Sequence, residues 1–169
     1  AVIASERAGA NIKGEYHTMR GINISHLITS KTDHLFTQAK RRGIVTIGVG
    51  DGGNELGCGT VIEAVRRHVP YGAECQCPCR GGIAAATPAD TLVVGGTSNW
   101  ASYGIAACFC LVTDLEYNHT REGESQLLDR VSGAGAFDGV TGRKELSVDG
   151  LPRSINELVV DLIWKIAGA

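Results

Sequence analysis

GIVTIGVGDGGNELGCGTVIEAVRRHV, residues Gly43 to Val69, reads as a strand, a glycine-rich turn and a helix. Ile44, Val45, Ile47 and Val49 form the short apolar run of a covered parallel strand. Gly, Asp and Asn dominate Gly50 to Gly59, so the chain turns there. Val61, Ile62, Val65 and Val69 then recur near the helical period, with Glu63, Arg66 and Arg67 between them. A turn of this kind sets backbone N–H groups and a helix start at the carboxyl end of a strand, where anionic groups bind. It also displays Asp51, Asn54 and Glu55.

The flanking chain repeats the theme. Ala1 to Ser5 is a short apolar strand that runs into Glu6, Arg7, Ala8 and Gly9. Residues 10 to 26 lack periodicity and read as a long ordered loop of the sort that carries function. Ser30 and Asp33 have capping-box spacing for a helix over Lys31 to Arg42, stopped by Gly43. Residues 83 to 87 form a weak strand. Thr91 to Val94 form a better one, ending in Gly95, Gly96, Thr97, Ser98 and Asn99. A buried apolar helix from Trp100 to Tyr117 follows, then a short helix over Glu122 to Arg130 and a hairpin near Glu145 to Val148. Ser154 and Glu157 cap the last helix, whose inner positions are Ile155, Leu158, Val159, Leu162 and Ile166.

Strands alternating with helices predict an α/β fold: a three-layer sandwich with a mostly parallel sheet and helices on both faces. Right-handed crossovers then bring the turns after residues 5, 49 and 95 to one edge, with the ligand site at the carboxyl ends of the strands. At 169 residues the chain is read as a single α/β domain. It opens on AVIAS, without methionine or a charged signal-peptide start, which predicts the C-terminal part of a larger domain or protein.

A net charge of −2 gives no electrostatic footprint for nucleic acid or an acidic membrane. No apolar run approaches the roughly 20 residues of a membrane span. Cys75, Cys77 and Cys79 form CQCPC, with one-residue gaps and no obvious second half for a zinc site. The expectation is reduced thiols, with neither a metal nor a disulfide. Asn118-His119-Thr120 matches a glycosylation sequon without a secretory context.

Gly48-Val49-Gly50-Asp51-Gly52-Gly53 satisfies G-x-G-x-x-G, but the dinucleotide reading needs a following strand ending in an acid, and Pro70 to Cys79 is not one. Gly50-Asp51-Gly52-Gly53-Asn54-Glu55 also resembles the magnesium-binding loop of haloacid-dehalogenase-type phosphatases, which implies Mg2+ at Asp51 and Glu55. The nucleophilic D-x-D of those enzymes is missing from this sequence.

Glu6-Arg7-Ala8-Gly9, Arg20-Gly21-Ile22-Asn23-Ile24-Ser25-His26, the block Gly48 to Gly57, Ser98-Asn99-Trp100 and Val148-Asp149-Gly150-Leu151-Pro152 resemble, in order, the C-terminal domain of the D-glutamate cyclase family. Cys75 to Ala89 departs most from that pattern, and Cys58 stands where the pattern has methionine. The resemblance implies the second half of that domain. It also implies a hydro-lyase that converts D-glutamate to 5-oxo-D-proline and water without an organic cofactor. It implies the mitochondrial matrix for a eukaryotic source and the cytoplasm for a bacterial one.

That chemistry needs the ammonium deprotonated, the γ-carboxyl activated, an oxyanion stabilised and water released. Asp51 and Glu55 suit acid–base work, with His26 as the alternative proton carrier; His17 also titrates in the right range. The amides of Gly52, Gly53 and Asn54 suit the oxyanion. Arg20 or Arg7 suits the α-carboxylate, and Asn23, Ser25, Ser98 and Asn99 suit orientation. The competing expectations are the magnesium-dependent phosphatase and a non-catalytic amino-acid-binding module.

Overall fold

The computed structural model describes residues 1–167. They fall into two compact units, Ala1–Ser98 and the chain from Asn99 on. The first unit is built on three strands, β1 (Val2–Ser5), β2 (Thr46–Gly50) and β3 (Thr91–Val94), in the order β1-β2-β3. Both pairings are parallel, with Val2 opposite Thr46 and Ile47 opposite Thr91. The fold is therefore α/β with a parallel sheet, and the three carboxyl ends share one edge.

Two contacts fix the central strand. At its start, Asp90 accepts the Thr46 amide and hydroxyl, each at 2.9 Å, so β2 and β3 enter the sheet in register. Within it, a Cβ on Gly48 would lie 2.7 Å from the Leu56 carbonyl oxygen and 2.8 Å from Gly57 Cα. Only glycine lets the returning turn lie on the strand at that distance. Beneath it, Phe36, Leu56 and Ala89 form a core cluster with Val2 and Ala4 packed against it.

Helix α1 (Asp33–Arg41) ends before Gly43, whose φ of +66° fits the expected stop. Its expected capping box does not form. Asp33 instead accepts the Ala10 amide at 2.9 Å, the Tyr16 hydroxyl at 2.6 Å and the Thr87 hydroxyl at 3.1 Å. The carboxylate serves tertiary structure in place of its own helix end. Helix α2 (Ile62–His68) follows a 3-10 turn at Gly59–Val61 and buries only Val65. The expected strand at residues 83 to 87 is absent. Ile83, Ala85 and Ala86 donate to Tyr71, Gly53 and Ala10 respectively, three separate segments, so no ladder can form.

The second unit holds most of α3 (Ser98–Thr113), α4 (Arg121–Gly133), the hairpin β4 (Ser147–Val148) and β5 (Leu151–Pro152), and α5 (Arg153–Ala167). Asp149 and Gly150 both have positive φ, as a two-residue hairpin turn demands. Two expectations are corrected here. Helix α3 is not buried throughout: Phe109, Leu111 and Val112 are exposed. Helix α5 buries Asn156 and Val160, while Ile155, Leu158, Leu162 and Ile166 are exposed. The buried Asn156 accepts the Trp100 indole N–H at 2.8 Å through Oδ1 and donates to the Leu151 carbonyl at 3.0 Å through Nδ2. No described helix is long and apolar enough to cross a membrane.

Candidate active site

The glycine turn is closed by Glu55. Its side chain folds back so that Oε1 accepts the Gly52 amide at 2.9 Å and Oε2 accepts the Gly53 amide at 2.7 Å. The Cys58 thiol donates to Oε2 at 3.5 Å. Glycines make room for this. A Cβ on Gly50 would sit 2.9 Å from Glu55 Oε2, and one on Gly53, at φ +97°, would sit 2.5 Å from Val65. The turn is clamped on both sides, because Leu56 donates to Arg7, Gly9 to Asn54 and Ala85 to Gly53. Burial, and then the Glu55 charge, push the Cys58 thiol up to about 12.

This corrects one expected role. The Gly52 and Gly53 amides are occupied by Glu55 and are not open to an oxyanion. Glu55 itself is 3% exposed and employed in holding the loop.

Asp51 is placed differently. Its Oδ2 accepts the Ser98 amide at 2.8 Å and the Ser98 hydroxyl at 3.1 Å, which ties the turn after β2 to the turn after β3. Its Oδ1 lies outside these two bonds. Carboxylate oxygens of Glu6, Asp51 and Glu55 lie within 4.8 Å of one another. The turns after all three strands thus meet at one edge, as the parallel topology requires. Three clustered carboxylates favour a cation between them. Beside them runs a cleft of about 230 Å³ lined by Asp51, Val61, Val65, Val69 and Val94. That is several times the roughly 30 Å³ share of a water molecule, room for a small organic substrate.

The other expected residues divide. The Arg7 guanidinium donates to the Thr32 hydroxyl at 3.1 Å and to the Ser30 carbonyl at 2.7 Å, so part of its donor set is already committed to the loop before α1. Arg20 and His26 are exposed on the long loop, His26 in a 3-10 turn. Asn23 and Ser25 both donate to Glu15 Oε2, and these bonds hold the Glu15 carboxyl below its usual range. They order the loop around Glu15. Asn54 Nδ2 donates to the His17 carbonyl at 2.8 Å. Asn99 belongs to the second unit, where it lines a cavity with Tyr103 and the buried Glu124.

One cluster has no forecast in the sequence reading. His17, expected as a possible proton carrier, is 1% exposed. Its Nε2 lies 3.2 Å from Cys77 Sγ and 3.6 Å from Cys79 Sγ. Burial lowers the imidazole against the opposing pull of Glu15. CQCPC thus has an imidazole beside it that the sequence analysis did not place there, from a histidine 60 residues before Cys77. The signal was present in the sequence only as a Cys-rich loop and a histidine in another loop.

Comparison with known proteins agrees with the motif pattern. The family model described as "D-glutamate cyclase-like, C-terminal" matches residues 1–163. The human protein "D-glutamate cyclase, mitochondrial" is 43% identical over 112 residues, which is 66% of this chain and 17% of the human protein. The chain therefore aligns with under a fifth of that relative's length.

Proposed function

The chain belongs to the D-glutamate cyclase-like family, and from that premise we propose that it forms part of a hydro-lyase that closes D-glutamate to 5-oxo-D-proline with loss of water. The observation that carries this reading is the Asp51 carboxylate, anchored through one oxygen by Ser98 in the lining of a cleft of small-molecule size.

The α-ammonium of the substrate is a cation and suits the carboxylates of Asp51 and Glu6. Asp51 Oδ1 takes the ammonium proton. The freed amine attacks the γ-carboxyl carbon of the same molecule, and the C–N bond forms as the carbonyl π pair moves onto oxygen. The nitrogen of that intermediate then gives up a second proton, and collapse expels one γ-carboxyl oxygen as water carrying the two protons that left nitrogen, relayed by Asp51. Because the attack is intramolecular, a site that holds the substrate curled removes much of the barrier by itself. Arg20 and the uncommitted part of Arg7 remain the candidates for the α-carboxylate. The human relative's name places it in mitochondria; a eukaryotic source for this chain would place it in the matrix.

The clustered carboxylates of Glu6, Asp51 and Glu55 also favour a second reading, Mg2+ held at Asp51 and Glu55 in a phosphatase-like site. Incubating the full-length protein with each glutamate enantiomer and, separately, with a phosphomonoester, each with and without Mg2+, separates the two. 5-Oxoproline from the D-enantiomer without added Mg2+ is the expected result. Phosphate release that needs Mg2+, with no 5-oxoproline, would overturn the cyclase reading. Saturable D-glutamate binding without turnover would leave a binding module.

A further inference from the structure

Four soft ligand atoms converge away from the carboxylates. His17 Nε2 and the Sγ atoms of Cys75, Cys77 and Cys79 all lie within 4.8 Å of one another. The close edges of this group are 3.2 Å (His17 to Cys77), 3.6 Å (His17 to Cys79), 3.4 Å (Cys75 to Cys77) and 3.3 Å (Cys75 to Cys79). A tetrahedral zinc with Zn–S about 2.3 Å and Zn–N about 2.0–2.1 Å spaces its ligand atoms roughly 3.5–3.8 Å apart. The observed edges match that spacing with only small movements. All three cysteines are free thiols. Thiols are weak hydrogen-bond donors and acceptors, so mutual attraction alone gives little reason for three of them to gather around an imidazole.

The surroundings fit charged sulfur. Gly81 N–H points at Cys79 Sγ at 3.4 Å, Asn11 Nδ2 at the same atom at 3.6 Å, and Asn23 Nδ2 at Cys77 Sγ at 3.8 Å. Outer donors of this kind orient and stabilise metal-bound thiolates. The cluster also stitches loops together: Gln76 donates to the Gly21 carbonyl at 3.1 Å, and Asn11 to the Gly82 carbonyl at 2.6 Å.

We propose that His17, Cys75, Cys77 and Cys79 bind one zinc ion in a closed, structural Cys3His site. Four protein ligands leave no open position, so the ion braces the protein and does not activate water. Three S–H bonds give way to three S–Zn bonds, three protons pass to solvent, and nothing is oxidised or reduced. Three thiolates with one imidazole select zinc over hard cations such as Mg2+. The site bears on the glycine turn through one residue. The His17 carbonyl that accepts Asn54 Nδ2 belongs to the proposed ligand itself. His17 thereby acts as a positioning residue for the turn, and the metal orders it without touching substrate.

The test uses full-length protein expressed with added zinc, then dialysed. The expected result is one zinc per chain and, after cobalt exchange, a strong thiolate-to-cobalt charge-transfer absorption. Cys77→Ser loses both, whereas Cys108→Ser, exposed on α3, keeps both. A folded protein that binds no zinc, a disulfide between any two of the three cysteines found by mass, or a cobalt spectrum without the thiolate band would overturn the proposal. Should Cys77→Ser fail to fold, the cobalt spectrum of the unaltered protein decides the matter on its own. None of these readouts depends on cyclase activity.

Discussion

Glu55 accepts the backbone amide of Gly53 at 2.7 Å, two residues before it in the chain. The same carboxylate takes the Gly52 amide at 2.9 Å, so the acid most conspicuous in the turn is a backbone clamp. Glu55→Gln replaces one acceptor oxygen with an NH2 group that faces amide donors. Leaving a buried donor unpaired costs about 1–3 kcal/mol. We expect a stability loss of that order or somewhat more, together with faster hydrogen exchange at the Gly52 and Gly53 amides. A full-strength fold with slowed turnover alone would instead make Glu55 a catalytic group.

Two glycines should respond in opposite directions to the same added methyl. At Gly48 the new Cβ meets backbone on both sides, the Leu56 carbonyl oxygen at 2.7 Å and Gly57 Cα at 2.8 Å. Gly48→Ala must push the turn off β2, at a cost of roughly 1–3 kcal/mol as overpacking. Gly104 lies inside α3 with nothing within 4 Å of its added Cβ. Gly104→Ala should stabilise the protein by up to about 1 kcal/mol through helix propensity. Denaturant midpoints of the two variants check both signs.

The contrast shows what a linear sequence reveals. The strand, turn and helix over Gly43 to Val69 are legible because each rests on neighbours: an apolar run, glycines, a 3.6 period. The shared edge follows from alternation and crossover handedness. Asp33, Asn156 and the thiol cluster are not legible, because their partners lie far along the chain. Asn156 bonds Trp100 across 56 positions, while Ile155, Leu158, Leu162 and Ile166 on the same helix are exposed. His17 meets Cys77 across 60 positions. Glu55 misleads for a related reason: an acid in a glycine turn reads as displayed, while its two oxygens are spent on amides only two and three residues away.

Asp138 gives the hairpin a pH dependence. It accepts the Ser147 hydroxyl and the amides of Val140, Thr141 and Gly150. Burial alone would raise its carboxyl, but these bonds outweigh burial and hold it down at about 2, against an ordinary 3.8. The folded value lies below the unfolded one. The stabilisation is therefore present above pH ~4 and lost as pH falls from ~4 towards ~2. Asp138→Asn should lower the stability of the second unit at neutral pH and flatten its dependence across that window. Denaturant midpoints at pH 7, 4 and 2.5 for both proteins test this; parallel curves would remove Asp138 from the account.

In the proposed cyclase reading Asp51 is the base, and its geometry lets shape and charge be separated. Ser98 donates twice to Oδ2, once from the backbone and once from the hydroxyl. In Asp51→Asn the amide oxygen can occupy that same position and keep both bonds, while the NH2 group replaces Oδ1. The tie between Asp51 and Ser98 survives, so stability should change by no more than about 1 kcal/mol, the net worth of one ordinary hydrogen bond. What disappears is the basic oxygen. Acid–base groups contribute about 10²–10⁴-fold in rate, and turnover of D-glutamate by the full-length protein should fall by that order. Ser98→Ala supplies the complement. It removes one of the two bonds on Oδ2 but leaves the base, so turnover should fall less than in Asp51→Asn. Near-normal turnover in Asp51→Asn, with the melting temperature lowered instead, would reduce Asp51 to a link between two turns. The proton-transfer role would then pass to Glu6, whose carboxylate lies within 4.8 Å.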